Sequence, residues 1–150
     1  MAPTGSAILS DEQIRSLRAV AGLMIPPSAA HGVPGADDER IFADLVATLE
    51  RDGAQVRLAL GWLDDAAGGC LADLPDAARH EACERLRHEA PDLAGVLVNV
   101  IVRCYYRDDR VVRSLELPVR APYPQGFEVT PGDYSLTAPV VARGRIWRAA

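Results

Sequence analysis

The residues best suited to metal or acid–base chemistry lie in one short stretch near the middle of the chain. His80, Cys83, Glu84 and His88 have spacings that would place them on one face of a helix, where their side chains could converge on a metal ion. Arginines at positions 79, 85 and 87 flank the same residues, so the stretch also fits an ordinary solvated helix surface. We favour the solvated surface and predict no metal site.

The other candidates for catalysis have simpler structural explanations. Cys104 falls on a strongly apolar stripe, where a free thiol is usually a small core residue. The doublets Asp64-Asp65 and Asp108-Asp109 lie near predicted helix ends, where capping accounts for them. The sequence has no dinucleotide-binding, P-loop or nucleophile-elbow motif. We therefore predict no catalytic residue and no cofactor or metal held by this chain alone, and keep a small metal- or Cys-dependent enzyme as the less favoured alternative.

Length and composition are those of an ordinary globular domain. The 150 residues are 49% hydrophobic and 25% charged, which is enough apolar material for a substantial core. A net charge of -5 argues against a nucleic-acid-binding protein, and all 16 basic residues are arginine. The longest apolar stretch, residues 93–102, is far shorter than the roughly 20 residues that a membrane-spanning helix needs.

Cysteine usage and the start of the sequence favour a cytoplasmic location. The three cysteines form no CxxC pair and leave one thiol over, which is not the pattern of a disulfide framework. The first residues, MAPTGSAILSDEQ, contain no basic, apolar or twin-arginine export element. We therefore expect no signal peptide, no membrane contact and a reducing compartment.

Apolar spacing over residues 1–117 predicts an all-α fold, a bundle of five or six helices. Ser10 and Gln13 form a capping-box pattern at the start of the first helix. Gly53 is the expected residue after the end of the second helix. In the fifth helix, Val98 and Val102 extend the apolar stripe nearly all round, which predicts a central position in the bundle.

Residues 118–150 form the second predicted region, an extended arm. It has five prolines, three glycines and four of the eight aromatic residues, and no helix or strand period persists from residue 120 to residue 140. Fixing each residue's backbone costs about 1–2 kcal/mol, so such an arm is ordered only where its aromatic rings find an apolar surface. We predict that it packs on the bundle and on a partner chain, since aromatic residues and arginine are enriched at interfaces.

Two stretches of the sequence carry a resemblance to a known family. The first, LRAVAGLMIPPSAAHGVPGADD, is a helix ending in Ile-Pro, followed by a small-residue loop and an acidic cap. The second, CYYRDDRVVRSLELPVRAPYPQGFE, joins Tyr-Tyr and Asp-Arg-Val to a Pro-x-Pro-x-Gly-aromatic motif. Together they are similar to the gluconate 2-dehydrogenase subunit 3 family, over about residues 10–127. Members are small helical subunits of flavin-dependent oxidoreductases of the glucose-methanol-choline class.

The resemblance implies a non-catalytic accessory subunit that binds, and helps to mature, a large FAD-carrying subunit acting on sugars or alcohols. FAD would then belong to the partner, in a hetero-oligomer. The residues expected to bind the partner are aromatic or basic: Tyr105, Tyr106, Arg110, Tyr123, Phe127, Tyr134, Arg145 and Trp147. Family members commonly carry a twin-arginine signal, which this sequence lacks, and that difference favours a cytoplasmic complex. The alternative interpretation of the same residues is that the protein is a stand-alone helical adaptor.

Overall fold

A computed structural model describes residues 8–120, 123–124, 126 and 130–145 of the chain. The all-α prediction is confirmed, because these residues form seven α-helices, two short 3₁₀-helices and no strand. The α-helices, in chain order, are α1 (Asp11–Met24), α2 (Glu39–Ala47), α3 (Gly53–Ala67), α4 (Asp76–Glu89), α5 (Pro91–Tyr105), α6 (Asp109–Ser114) and α7 (Ala138–Arg143). The 3₁₀-helices are Leu71–Asp73 and Tyr134–Thr137.

The chain divides into two compact units, Met1–Val119 and Arg120–Ala150. The first unit contains α1 to α6 and the first 3₁₀-helix. The second contains the second 3₁₀-helix and α7. The hydrophobic core described below belongs to the first unit.

Local sequence explains where several helices begin. The Ser10 hydroxyl accepts a hydrogen bond from the Gln13 N–H at 3.2 Å, and the Gln13 side chain accepts one from the Ser10 N–H at 3.2 Å. This is the predicted capping box, which satisfies two backbone donors at the start of α1. Pro91 is the first residue of α5. The N–H that proline lacks would have no hydrogen-bond partner within the helix at this position. The Asp108 carboxylate caps α6 by accepting the Arg110 N–H at 2.9 Å.

The core lies where α5 packs against α2, α3 and α4, and where α3 packs against α1 and α4. Most of the large side chains that are almost fully buried there are aliphatic, among them Leu17, Ile41, Leu45, Leu60, Leu63 and Ile101. Helix α5, predicted to be central, packs against α2, α3 and α4, but Val98 on its apolar stripe is 45% exposed. A helix needs only one face to be held in a bundle, and α5 uses the face that carries Leu97, Val100 and Ile101.

The prediction that Gly53 follows the end of α2 is wrong. Helix α2 ends earlier, at Ala47, and the Thr48 hydroxyl donates to the Asp44 carbonyl at 2.9 Å. Gly53 instead begins α3, where a Cβ atom would lie 2.3 Å from Cγ2 of Ile8. Glycine is therefore required here for close packing of a neighbouring side chain and not for a left-handed turn.

Two alanine substitutions in α3 should have opposite effects on stability. Gly53→Ala should lower the free energy of unfolding by about 1–3 kcal/mol, because the new methyl group overlaps a stiff β-branched side chain. Gly61→Ala, in the interior of the same helix with no atom beyond the adjacent turns of its own helix within 4 Å of the added Cβ, should raise it by about 0.5–1 kcal/mol. Urea unfolding of the two variants measures the difference, and effects of the same sign would contradict this account of Gly53.

The arm is more regular than its prolines suggested. The expectation that residues 120–140 contain no helix is wrong in their C-terminal part, where Tyr134–Thr137 and α7 are helical. The Asp133 carboxylate caps this segment by accepting the Ser135 N–H at 2.9 Å. Pro139 is compatible with α7 because it lies in the first turn, where a helix does not use the N–H that proline lacks.

Candidate partner-binding surface

Tyr105 lies in the core of the first unit. It is the last residue of α5 and only 5% exposed, and its hydroxyl donates to the Pro34 carbonyl at 3.2 Å. Burial raises the pKa of the Tyr105 hydroxyl, and the neighbouring Tyr106 and Asp108 add to the shift. Tyr105 therefore connects α5 to the loop before α2, and its ring has little surface left for another chain.

Tyr106, the next residue, faces outward. Its ring is 52% exposed and meets the Tyr105 ring edge to face, with centroids 5.3 Å apart and an interplanar angle of 86°. Contact with the buried Tyr105 ring therefore favours a single orientation of the Tyr106 ring. Of the two predicted tyrosines, Tyr106 is the one that presents an aromatic surface.

Arg110 joins the starts of two helices through their capping residues. Its Nη2 donates to Asp38 Oδ1 at 2.6 Å, and its Nε donates to Asp108 Oδ1 at 2.9 Å. Asp38 caps α2 and Asp108 caps α6, so one guanidinium neutralises both caps. Hydrogen bonding to Arg110 lowers the pKa of both carboxyl groups, and the pKa of Arg110 is raised in turn. The predicted binding residue Arg110 thus has a structural task within the first unit.

Two further arginines near the end of α5 are also paired inside the unit. Arg107 Nε donates to Asp44 Oδ2 at 3.1 Å, and Arg103 Nη2 donates to Asp52 Oδ2 at 2.8 Å. The hydrogen bond from Arg103 lowers the pKa of Asp52, and the bond to Asp44 raises the pKa of Arg107. These ion pairs link α5 to α2 and to the residue before α3.

The candidate metal cluster on α4 forms ordinary surface pairs. Arg87 Nη2 donates to Glu84 Oε2 at 2.6 Å, and His88 Nε2 lies 3.9 Å from the same oxygen. Burial raises the pKa of the Cys83 thiol, and the charge of Glu84 raises it further, which disfavours the thiolate that binds metals. Within the described ranges, no group of three or more His, Cys, Asp or Glu side chains is arranged to hold a metal ion.

Sequence reasoning missed a buried polar contact that involves Asp64. Ser16 is fully buried in α1, and its hydroxyl donates to Asp64 Oδ1 at 2.7 Å. The same oxygen accepts the Leu71 N–H at 2.9 Å, so this carboxylate connects α1, α3 and the first 3₁₀-helix. The prediction that capping explains Asp64 is therefore wrong. One feature of the sequence could have indicated this contact. Ser16 is next to Leu17 on the inward side of α1, and a serine hydroxyl that is buried requires a hydrogen-bond partner.

Neighbouring aspartates allow a matched test of this contact. Asp64→Ala should lower the free energy of unfolding by about 1–3 kcal/mol, because it leaves the Leu71 N–H without its acceptor and leaves the Ser16 hydroxyl with only the Cys70 Sγ, 3.4 Å away. Asp65→Ala, at the exposed neighbouring position, should change it by less than about 0.5 kcal/mol. Chemical denaturation of both variants is the measurement, and equal losses would contradict the role given to Asp64.

In the second unit, the predicted partner-binding residues that the structure describes lie at the surface. Tyr123 is 86% exposed, Tyr134 is 76% exposed and Arg145 is also exposed. Phe127 and Trp147, two further predicted residues, lie outside the described residues. Next to Tyr134, the apolar side chains Leu136, Val140 and Val141 are exposed in the 3₁₀-helix and α7.

Exposed apolar side chains are concentrated in one part of the sequence. In the described part of the chain, eleven large hydrophobic side chains are exposed, and nine of them lie between residues 106 and 141. These nine are Tyr106, Leu115, Leu117, Val119, Tyr123, Tyr134, Leu136, Val140 and Val141. The other two, Leu58 and Val98, lie on α3 and α5. We take residues 106–141 as the candidate partner-binding segment, with four of the nine exposed side chains in the first unit and five in the second.

These observations define an all-α protein with a helical bundle and an apolar, exposed C-terminal segment. In the part of the chain that the structure describes, no helix has the length and apolarity to cross a membrane. Comparison with protein-family models, curated proteins and solved structures finds no match to this chain.

Proposed function

We propose that this chain is a non-catalytic accessory subunit that binds and stabilises a larger, FAD-carrying oxidoreductase subunit of the glucose-methanol-choline class. The observation that carries the proposal is the concentration of exposed apolar side chains between residues 106 and 141. Full burial of one such side chain contributes about 1.5–3 kcal/mol, so covering several of them would supply a large favourable term for association. A partner polypeptide is the proposed source of that cover.

The kind of partner is proposed from the resemblance of two stretches to the gluconate 2-dehydrogenase subunit 3 family. The second of these stretches, residues 104–128, overlaps the candidate partner-binding segment. Tyr106 is exposed there, and Arg110 holds the helix starts beside it in place. FAD and the oxidation of a sugar or alcohol are assigned to the partner.

The proposed location of this complex is the cytoplasm. Cys70, Cys83 and Cys104 are all free thiols, which fits a reducing compartment. Cys104 is buried beside α2, with its Sγ 3.5 Å from the Thr48 hydroxyl, in the way expected of a small core residue.

Co-expression with a large FAD-carrying subunit of the glucose-methanol-choline class tests the proposal. The two polypeptides should elute together at micromolar concentration, and the complex should have the absorbance spectrum of bound flavin. If they elute separately, and the large subunit alone retains FAD and activity, the proposal is wrong. Amide exchange of this chain alone adds a second readout, since strong protection of residues 123–147 without a partner would favour a stand-alone helical adaptor.

A further inference from the structure

An arginine-lined cleft of about 440 Å³ lies in the first unit, between α1 and the start of α4. Arg15 and Arg18 of α1 and Arg79 of α4 all line it. Three guanidinium groups from two helices on one small cleft are a suitable donor set for an oxyanion, because the guanidinium fork matches the geometry of carboxylate and phosphate. The proposed partner-binding segment contributes no residue to this cleft.

Arg79 has a hydrogen-bond donor that the fold leaves unused. Its Nη2 is paired with Asp76, one turn earlier on α4, and the side chain is 24% exposed. Its Nε is buried, and among the described side chains it is the one buried N or O atom without a hydrogen-bond partner. An N–H that is buried without an acceptor destabilises the fold, so a small shift of the Arg79 side chain that brings Nε to an acceptor in the cleft would be favourable.

Arg18 contributes a charge that no carboxylate neutralises among the described residues. Its guanidinium lies 4.6 Å from the centre of the Phe42 ring, a contact with the ring face that leaves the N–H groups able to donate. Arg15, in contrast, is paired with Asp73. The cleft therefore contains one guanidinium that forms no ion pair among the described residues, Arg18 of α1, and one unsatisfied donor, the Nε of Arg79 on α4.

The start of α4 adds positive potential at the same place. Pro75 precedes the helix and provides no side-chain cap, although its carbonyl accepts the N–H groups of Ala78 and Arg79 at 3.0 Å. Asp76, in this first turn, lines the cleft. The positive end of a helix dipole favours an anion near the first turn.

Acidic residues limit what the cleft can accept. Asp37 lines it beside Asp76, and a Cβ at Gly22 would lie 3.1 Å from the Asp37 carboxylate, so α1 packs closely against this side chain. Together with Asp73, which pairs with Arg15, three carboxylates lie beside the three guanidinium groups. This balance of charge favours a small anion of low charge over a polyanion such as nucleic acid. We propose that this cleft binds a small organic anion through a carboxylate or phosphate group, held by Arg79 and Arg18.

Titration of the full-length chain with inorganic phosphate, and separately with acetate, tests this site without any partner. Isothermal titration calorimetry at constant ionic strength should detect saturable binding of at least one of the two, and the tighter one identifies the anion class. Arg79→Gln and Arg18→Gln should each weaken that binding about tenfold or more, since each removes a charge-assisted hydrogen bond. Asp37→Asn should tighten it, because it removes a negative charge from the cleft.

Arg85→Gln is the matched control, because Arg85 is also on α4 but lies near Trp62 and pairs with Glu89, outside the cleft. This variant should bind like the unmodified chain. The proposal is wrong if neither anion binds saturably, or if Arg85→Gln weakens binding as much as the cleft variants. Circular dichroism checks that each variant is folded, and if Arg79→Gln is not, Arg18→Gln and Asp37→Asn still decide the question through their opposite signs.

Discussion

Arg110→Gln is expected to lower the free energy of unfolding at pH 7 by about 2–3 kcal/mol, because it leaves the carboxylate of Asp108 buried without its strongest donor. The Asp108 side chain is only 4% exposed, whereas Arg110 is 38% exposed. This exposure makes the expected loss smaller than the roughly 3–5 kcal/mol typical of a fully buried pair. Urea unfolding monitored by circular dichroism measures the change.

The same substitution should matter less in acid. The pKa of Asp38 and the pKa of Asp108 both lie below the ordinary 3.8 in the folded chain, chiefly through their hydrogen bonds to Arg110. A carboxyl group with a lowered folded pKa stabilises the fold fully above its unfolded pKa of about 4, and that contribution disappears as the pH falls through the folded value. The difference between the unmodified chain and Arg110→Gln should therefore shrink as the pH is lowered from 7 to below about 3.

Arg113 is the control for this prediction. It is on the same short helix, its side chain is 63% exposed, and it pairs with Asp109 at 3.6 Å. Arg113→Gln should cost less than about 0.5 kcal/mol, as expected of an exposed ion pair. Equal losses of stability in the two variants would contradict the role of Arg110 in binding the capping residues of two helices. A loss of stability in Arg110→Gln that does not depend on pH would contradict it as well.

The second large effect is expected on assembly with the proposed partner. Tyr134→Ala should weaken the complex by about 2–4 kcal/mol if this ring is a central anchor of the interface. The same change should leave the stability of the chain alone within about 0.5 kcal/mol, because the side chain is 76% exposed. Affinity measured by biolayer interferometry, together with urea unfolding of the free chain, separates the two quantities.

Leu58→Ala is the matched control for the interface. Leu58 is 64% exposed on α3, outside residues 106–141, so its removal takes away a comparable apolar surface elsewhere. Its affinity for the partner should be unchanged. If Tyr134→Ala also binds normally, the interface does not depend on this part of the arm, and if Leu58→Ala binds weakly, the proposed segment is misplaced.

Much of the fold was predictable because its signals are local. The capping box of Ser10 and Gln13 involves residues three positions apart, and it can be recognised without knowing what the helix packs against. The prediction failed where a distant residue decides the geometry. The packing role of Gly53 could not be predicted, because the side chain that approaches it is that of Ile8, more than forty positions away.

The candidate site was predictable in composition but not in the role of each residue. Tyr105 and Tyr106 are chemically identical and adjacent, yet one is 5% exposed and the other 52%. A helix turns by about 100° per residue, so neighbouring side chains point in different directions, and only the packing of α5 determines which of them enters the core. Arg110 likewise connects two helix starts only because Asp38, far away in sequence, lies within hydrogen-bonding distance of it.

By itself the sequence determined the all-α class, the capping box of α1 and the concentration of apolar and aromatic residues near the C-terminus. These depend on backbone preferences and on residue spacing within a few positions, which act before any tertiary contact exists. Only the tertiary structure decided which tyrosine is buried, which arginines are paired, and that Arg18 and Arg79 line one cleft. The physical reason is that burial and charge pairing depend on distances between residues that are remote in the chain.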